Sequence, residues 1–326
     1  PIFVGWEKPR LALVLSGRQD GYLEPCGCAG LDRMKGGLSR RHSMFEQLRA
    51  KGWPLVALDV GGLVKGYGRQ TELKFQITAE AMRKMRYDAV ALGKSDLRLP
   101  IEYLAAVVAG VGDKESMFVS SNVGLFGFEA KVTPRQRVIE AGGLKIGVTS
   151  FLGKKYQKEI NNPDVEMADP EKAVGEALAE LKKQNCHLMV LLAHATMEES
   201  EEMAKKFPDF PIVVTSGGAP EPPSERPQIV NGRTRLVEVG EKGMNLIVLG
   251  LFDVPGGLDV KYQRVPLDSR FPQSADMKAL MRTYQEQIKQ LGFAGLNVRA
   301  APNPRAETLG AFVGSKQCES CHEPSY

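Results

Sequence analysis

The five cysteines of this 326-residue chain fall into two close pairs and a single. Cys318 and Cys321 stand in Cys318-Glu319-Ser320-Cys321-His322, a C-x-x-C-H string. That spacing is the pattern of covalent c-type haem attachment, in which both sulfurs add to the haem vinyl groups and the adjacent imidazole supplies an axial iron ligand. Cys26 and Cys28 lie one residue apart in GYLEPCGCAG, residues 21 to 30. A disulfide across one intervening residue is strained and therefore readily reduced, and Gly27 gives the backbone the freedom to close so small a ring. Three roles are open to this pair: a reversible redox couple, a ligand pair for haem or for a soft or borderline metal ion, and a structural staple. Cys186 opens an apolar run and reads as a small buried hydrophobe. His187 beside it and His42 read as surface or packing residues, with distal haem ligation as their other use.

The totals narrow the setting. With 43% hydrophobic and 25% charged residues the chain has the composition of a globular protein with a sizeable core. No apolar run approaches the roughly 20 residues of a membrane-spanning helix. The net charge of +4 is spread through mixed pairs, with no stripe of interleaved basic and aromatic residues, which argues against a nucleic-acid partner. The first residues, PIFVGWEKPR, contain neither an initiator Met nor a signal peptide and read as the start of a processed or trimmed chain. Haem attachment of the C-x-x-C-H kind takes place outside the bacterial cytoplasm, so a periplasmic or extracellular location is expected.

The elements that must position these residues follow from periodicity. LALVLS (11–16) is a short apolar strand, residues 38–50 have helical spacing, and PLVALDVGG (54–62) reads as a second buried strand, together a parallel strand-helix-strand start. Helices are predicted near 72–86 and 100–109, with strands at 88–93 and 117–123. A hairpin is predicted around Gly142-Gly143 within 137–153. Pro170 opens a helix to about 184, followed by a strand at 187–194, a helix near 197–206 and a strand at 211–218. After the proline-dense 219–227 come four strands, the first two joined at Asn231-Gly232. Residues from 268 read as an exposed segment with an amphipathic helix near 275–291, then a Gly/Ala/Pro-rich linker.

The order of segments through residues 11–266 resembles the calcineurin-like metallophosphoesterases, in particular the catalytic domain of periplasmic 5′-nucleotidases. The likeness is carried by the first strand and its turn at Gly21, then GGLSRR, LDVGGLVKG, YDAVALGKSD, VLLAHAT, VVTSGG and RLVEVGEKGMNLIVLGLFD. It implies a four-layer αββα sandwich whose strand-end loops hold two divalent metals, which clamp a phosphate ester and activate a water. The donor positions of that family are altered here. Arg18-Gln19-Asp20 replaces Asp-x-His, Gly61-Gly62 replaces Gly-Asp, and Gly93-Lys94-Ser95-Asp96 replaces Gly-Asn-His-Asp/Glu. His194 keeps its place, whereas SGGAPEP has no His where Gly-His-x-His is expected. Four histidines in the whole chain, one of them in the haem motif, cannot build a His-rich two-metal centre. The resemblance therefore implies a degenerate site, reduced at most to a single divalent metal at Asp20, Asp96 and His194. Arg18 and Lys94 would repel a cation and could instead attract an anion, or pair with carboxylates such as Asp20 and Asp96.

FVGSKQCESCHEPSY (312–326) resembles the first haem-binding segment of cytochrome c-554-type multihaem cytochromes. Ending four residues after His322, the sequence is expected to continue naturally into further haem sites. The expected organisation is a 5′-nucleotidase-like domain at 1–267, a helix and linker at 268–311, and the start of a c-type cytochrome segment at 312–326. The expected function is periplasmic electron transfer, with redox proteins or further haem domains as partners. The alternatives are a metal-dependent hydrolase with a reduced site and a module that binds an anion or a partner protein.

Overall fold

The computed structural model describes residues 2–25, 30, 34–110 and 115–299. Cys26, Cys28, Cys318, Cys321 and His322 lie outside the described residues, as does the 312–326 segment. Two sheets carry the architecture. The first is built from β1 (Leu11–Ser16), β2 (Leu55–Asp59), β3 (Ala89–Val90), β12 (Asn245–Val254) and β13 (Gly257–Pro266), in the order β13-β12-β1-β2-β3. The second contains β5 (Gln136–Ala141), β6 (Leu144–Leu152), β8 (Leu188–His194), β9 (Ile212–Thr215), β10 (Gln228–Val230) and β11 (Thr234–Glu238), in the order β10-β11-β9-β8-β6-β5. A small antiparallel pair joins β4 (Val123–Leu125) to β7 (Val165–Met167).

The two-residue period of a strand sorts the core into layers. Leu11, Leu13 and Leu15 of β1 face the second sheet, where they meet Val190 and Leu192 of β8. Ala12 and Val14 point the other way, into a core with α1 (Leu38–Ala50), α2 (Arg69–Met85) and α3 (Ile101–Val108). Leu191 and Ala193 of β8 likewise turn outward, against α5 (Pro170–Lys183) and α6 (Met197–Lys206). Three apolar interfaces thus separate four layers in the order helices, sheet, sheet, helices. Because both faces of the central strands are buried, their sequences read as continuous apolar runs.

Several elements match the sequence expectation closely, including β1, α1, the hairpin of β5 and β6, and α6, whose Thr196 and Glu199 form a capping box. Two strands do not. Of residues 88–93 only Ala89 and Val90 pair as a strand, and 117–123 contributes one bridge, Phe118 to Val90, before β4 begins. The backbone there leaves the ladder to form site loops.

The 275–291 segment also differs from the exposed helix expected. It is part of α7 (Ala275–Gly295), which packs on α1 and α2 and buries Met277, Leu280 and Tyr284. Its start is pinned: the Ser274 hydroxyl accepts from Met277 N, the Ser39 hydroxyl accepts from Ser274 N at 2.6 Å, and His42 Nδ1 lies 2.9 Å from Ser274 Oγ. His42 thus serves the junction of α1 and α7. A short α4 (Lys154–Gln157) follows β6 and lies beside the site.

Candidate functional site

The site forms where β1, β2, β3 and β8 release their chains at one edge of the stacked sheets. The ladder between β1 and β2 continues past both strands. Arg18 N donates to Gly61 O at 2.8 Å, Asp20 N to Gly62 O at 3.0 Å and Gly21 N to Leu63 O at 2.9 Å. To keep this course Arg18 and Asp20 adopt left-handed backbone angles, φ 47° and 53°. Such conformations are uncommon outside Gly and concentrate where the surroundings over-determine the backbone.

A fully buried polar network, which no sequence motif announced, fixes this loop from below. Ser16 Oγ donates to Asp59 Oδ2 at 2.5 Å and lies 2.9 Å from the Tyr87 hydroxyl. Arg41 Nη1 is 4.0 Å from Asp59 Oδ2, and its guanidinium also donates to Tyr87 and to Gln19 Oε1. Neither Arg41 nor Asp59 has any exposed side-chain surface. Burial raises the Asp59 carboxyl, with the Arg41 charge acting against it. The only sequence trace was the second Arg of GGLSRR, which reads as a helix-surface charge until its partners are known.

Gly62 and Gly93 meet at the centre. A Cβ on Gly93 would overlap Gly62 N and fall 2.8 Å from His194 Cε1. A Cβ on Gly62, which has φ +76°, would lie 3.2 Å from His194 Cε1 and 3.4 Å from Arg18 Cα. His194 is therefore clasped by two glycines, with its Nδ1 2.8 Å from Val60 O, a geometry that places the proton on Nδ1. Burial, reinforced by the nearby Lys94 and Arg18 charges, lowers its imidazole to about 4. The Tyr156 ring, carried by α4, lies 5.5 Å from the His194 ring, and Lys94 Nζ stands 4.3 Å from the centre of Tyr156.

Asp96 is fully buried beneath these loops. Its Oδ2 accepts from Gly62 N at 2.9 Å and from Gly93 N at 2.8 Å, while Oδ1 accepts from Val64 N at 3.2 Å. Burial pushes its carboxyl up to about 7, and the three amides act against that shift by favouring the ionised form. Asp20 is also raised by burial, with Arg18 opposing.

The cations face carboxylates other than those expected. Arg18 pairs with Glu241 at 3.1 Å, and Lys94 with Glu159 at 2.9 Å, where Arg98 joins the same oxygen at 3.3 Å. Lys94 holds the Glu159 carboxyl below its ordinary range. Asp20, Asp96 and His194 do not come together as the single-metal ligand set expected from their slots. Among the described residues, no three His, Cys, Asp or Glu side chains converge on a common point. With Gly62 lacking a side chain, Asp96 accepting three backbone amides, and two cations at the rim, the residues present do not fit a divalent metal centre. Elsewhere, Cys186 is partly buried against β6, and His187 Nδ1 accepts from Lys145 N at 2.9 Å, so both have packing roles.

This layered architecture, with its site on the loops at the strand ends, is the 5′-nucleotidase and calcineurin-like phosphoesterase fold. It superposes on the 5′-nucleotidase precursor of Thermus thermophilus with a TM-score of 0.71 at 22% identity, covering 86% of this chain and 59% of that one. The calcineurin-like phosphoesterase YfkN of Bacillus subtilis gives 0.65 at 15% identity, covering 85% and 97%. In sequence, the 5′-nucleotidase of Homo sapiens is 24% identical over 258 residues, 74% of this chain and 43% of that protein. The chain spans between about a third and a half of the length of the curated relatives it matches. No family model matches it.

Proposed function

We propose that this chain belongs to a periplasmic or extracellular electron-transfer protein, in which a 5′-nucleotidase-like fold without a hydrolytic metal centre carries a c-type haem segment. The observation that carries this proposal is the presence, in one chain, of Cys318-Glu319-Ser320-Cys321-His322 and a cleft whose expected donor positions hold Arg18, Gly62 and Lys94. Cys26 and Cys28 are the accompanying redox pair. Forming their disulfide releases two electrons and two protons, and because each haem iron accepts one electron, further haem domains or redox proteins complete the transfer. Among the described residues no helix is long and apolar enough to cross a membrane.

Expression of the full chain in a host with cytochrome c maturation machinery provides the test. The expected product carries covalent haem with the absorption bands of a c-type cytochrome, lost in Cys318→Ser and Cys321→Ser, and releases no phosphate from nucleoside 5′-monophosphates with Mn2+ or Zn2+. A purified chain with no haem band overturns the electron-transfer half. Metal-dependent phosphate release overturns the non-hydrolytic half.

A further inference from the structure

The loops after β2 and β3 are joined here by one buried carboxyl group. We propose that Asp96 acts as the structural centre of the cleft, its carboxylate standing in for a bound metal as the group that ties these loops together. The inference deepens the non-hydrolytic half of the proposed function and is independent of haem attachment.

The geometry is that of a backbone anion nest. Gly62 N and Gly93 N converge on Oδ2, and Val64 N reaches Oδ1, so one side chain satisfies three amides from two separate loops. The two oxygens have acceptor capacity for all three donors, two on Oδ2 and one on Oδ1. Gly62 is essential to the arrangement. Its positive φ turns its amide inward, and its lack of a side chain lets Gly93 approach until a Cβ there would overlap Gly62 N. The first loop is brought in through Gly62, whose carbonyl accepts from Asp20 N. Outside this centre each rim cation has a carboxylate partner, Glu241 for Arg18 and Glu159 for Lys94. The two rim cations are thus paired within the chain, and a cation at Asp96 would compete with three amides for its oxygens.

Amide hydrogen exchange in the full chain reads this directly. With the 34 glycines labelled with 15N, Gly62 and Gly93 serve as local probes. In Asp96→Asn, which keeps the side-chain shape but loses one acceptor oxygen, the exchange of these two amides accelerates about tenfold or more relative to Gly147 and Gly250 in the strands. A uniform acceleration, or none, overturns the proposal. If the variant fails to fold, the wild type supplies the second measurement. Adding Mn2+ or Zn2+, or treating with EDTA, leaves the melting temperature and the Gly62 and Gly93 resonances unchanged. Stoichiometric metal binding that shifts those resonances, or a melting temperature lowered by EDTA, shows that a metal holds the loops and sinks the assignment, whatever the haem spectrum shows.

Discussion

Replacing His194 by Gln isolates the electrostatic cost of burying an imidazole in the cleft. In the fold the ring titrates at about 4 instead of 6.5, because burial and the nearby Lys94 and Arg18 disfavour its charged form. Between those two values the unfolded chain takes up a proton that the folded chain refuses, so acid favours unfolding. The stability tied to the neutral ring is complete above pH 6.5 and is lost as the pH falls towards 4. At ~1.36 kcal/mol per pH unit, the interval is worth about 3 kcal/mol. Asp96 works in the opposite sense across almost the same window: its carboxyl is raised from 3.8 to about 7, so its contribution is complete below about 4 and is lost as the pH rises through 7. The two slopes partly cancel in the wild type, and the His194→Gln variant exposes the downward slope of Asp96. The assay is urea unfolding at steps from pH 4 to pH 7.5, comparing variant with wild type so that pH-independent packing losses drop out. Relative to wild type, the variant should gain about 3 kcal/mol on going from pH 7 to pH 4. A relative change below about 1 kcal/mol would refute the reasoning, because it would mean that the folded imidazole titrates near its ordinary value.

Other perturbations probe separate parts of the frame. Gly62→Asp, which restores the family's residue type at that slot, should lower stability by roughly 1–2 kcal/mol from its left-handed backbone alone and should create no Mn2+ or Zn2+ binding by titration calorimetry. Arg41→Ala strands Asp59 and Gln19 in the interior and should cost about 3–5 kcal/mol in denaturant unfolding, whereas Arg41→Ala combined with Asp59→Asn should cost less than the sum of the two single changes. Lys94→Ala breaks a half-exposed pair and should change stability by no more than about 1 kcal/mol. Ser274→Ala removes the cap of α7 and the hydroxyl's hydrogen bond to His42 of α1, an expected loss of about 1 kcal/mol with faster amide exchange confined to the first turns of α7.

Much of the layered fold is legible in the sequence because its central strands are buried on both faces and its helices have sharp apolar periods. LALVLS, the Gly142-Gly143 hairpin and the helix after Thr196 announce themselves locally. The stretches at 88–93 and 117–123 have the composition of strands yet pair only briefly, because some of their amides turn to loop acceptors, such as Pro134 O for Ser120 N. The departures from the 5′-nucleotidase pattern are visible at Arg18, Gly62 and Lys94, but the partners of these positions are not. Glu159 lies 65 residues from Lys94, Glu241 lies 223 from Arg18, and Asp96 meets Gly62 and Val64 across 34 and 32 positions. Contacts of that span are set by how the sheets stack, which local pattern does not encode. The burial of α7 is similarly hidden, because one amphipathic face looks the same in a surface helix and in one docked on α1 and α2.

The clasp of His194 between Gly62 and Gly93 also bears on how the cleft would accept acidic side chains at positions 62 and 18. A side chain at position 62 would press on the His194 ring and meet the Arg18 backbone at ordinary contact distance, so the cost of a carboxylate there falls on the imidazole and on the left-handed backbone angle. A carboxylate at position 18, in turn, would leave Glu241 facing another acid in place of its present partner. Neither acid is accommodated without a cost to a neighbour, at His194 for position 62 and at Glu241 for position 18. The residues of the cleft are held in place by one another's packing and charge.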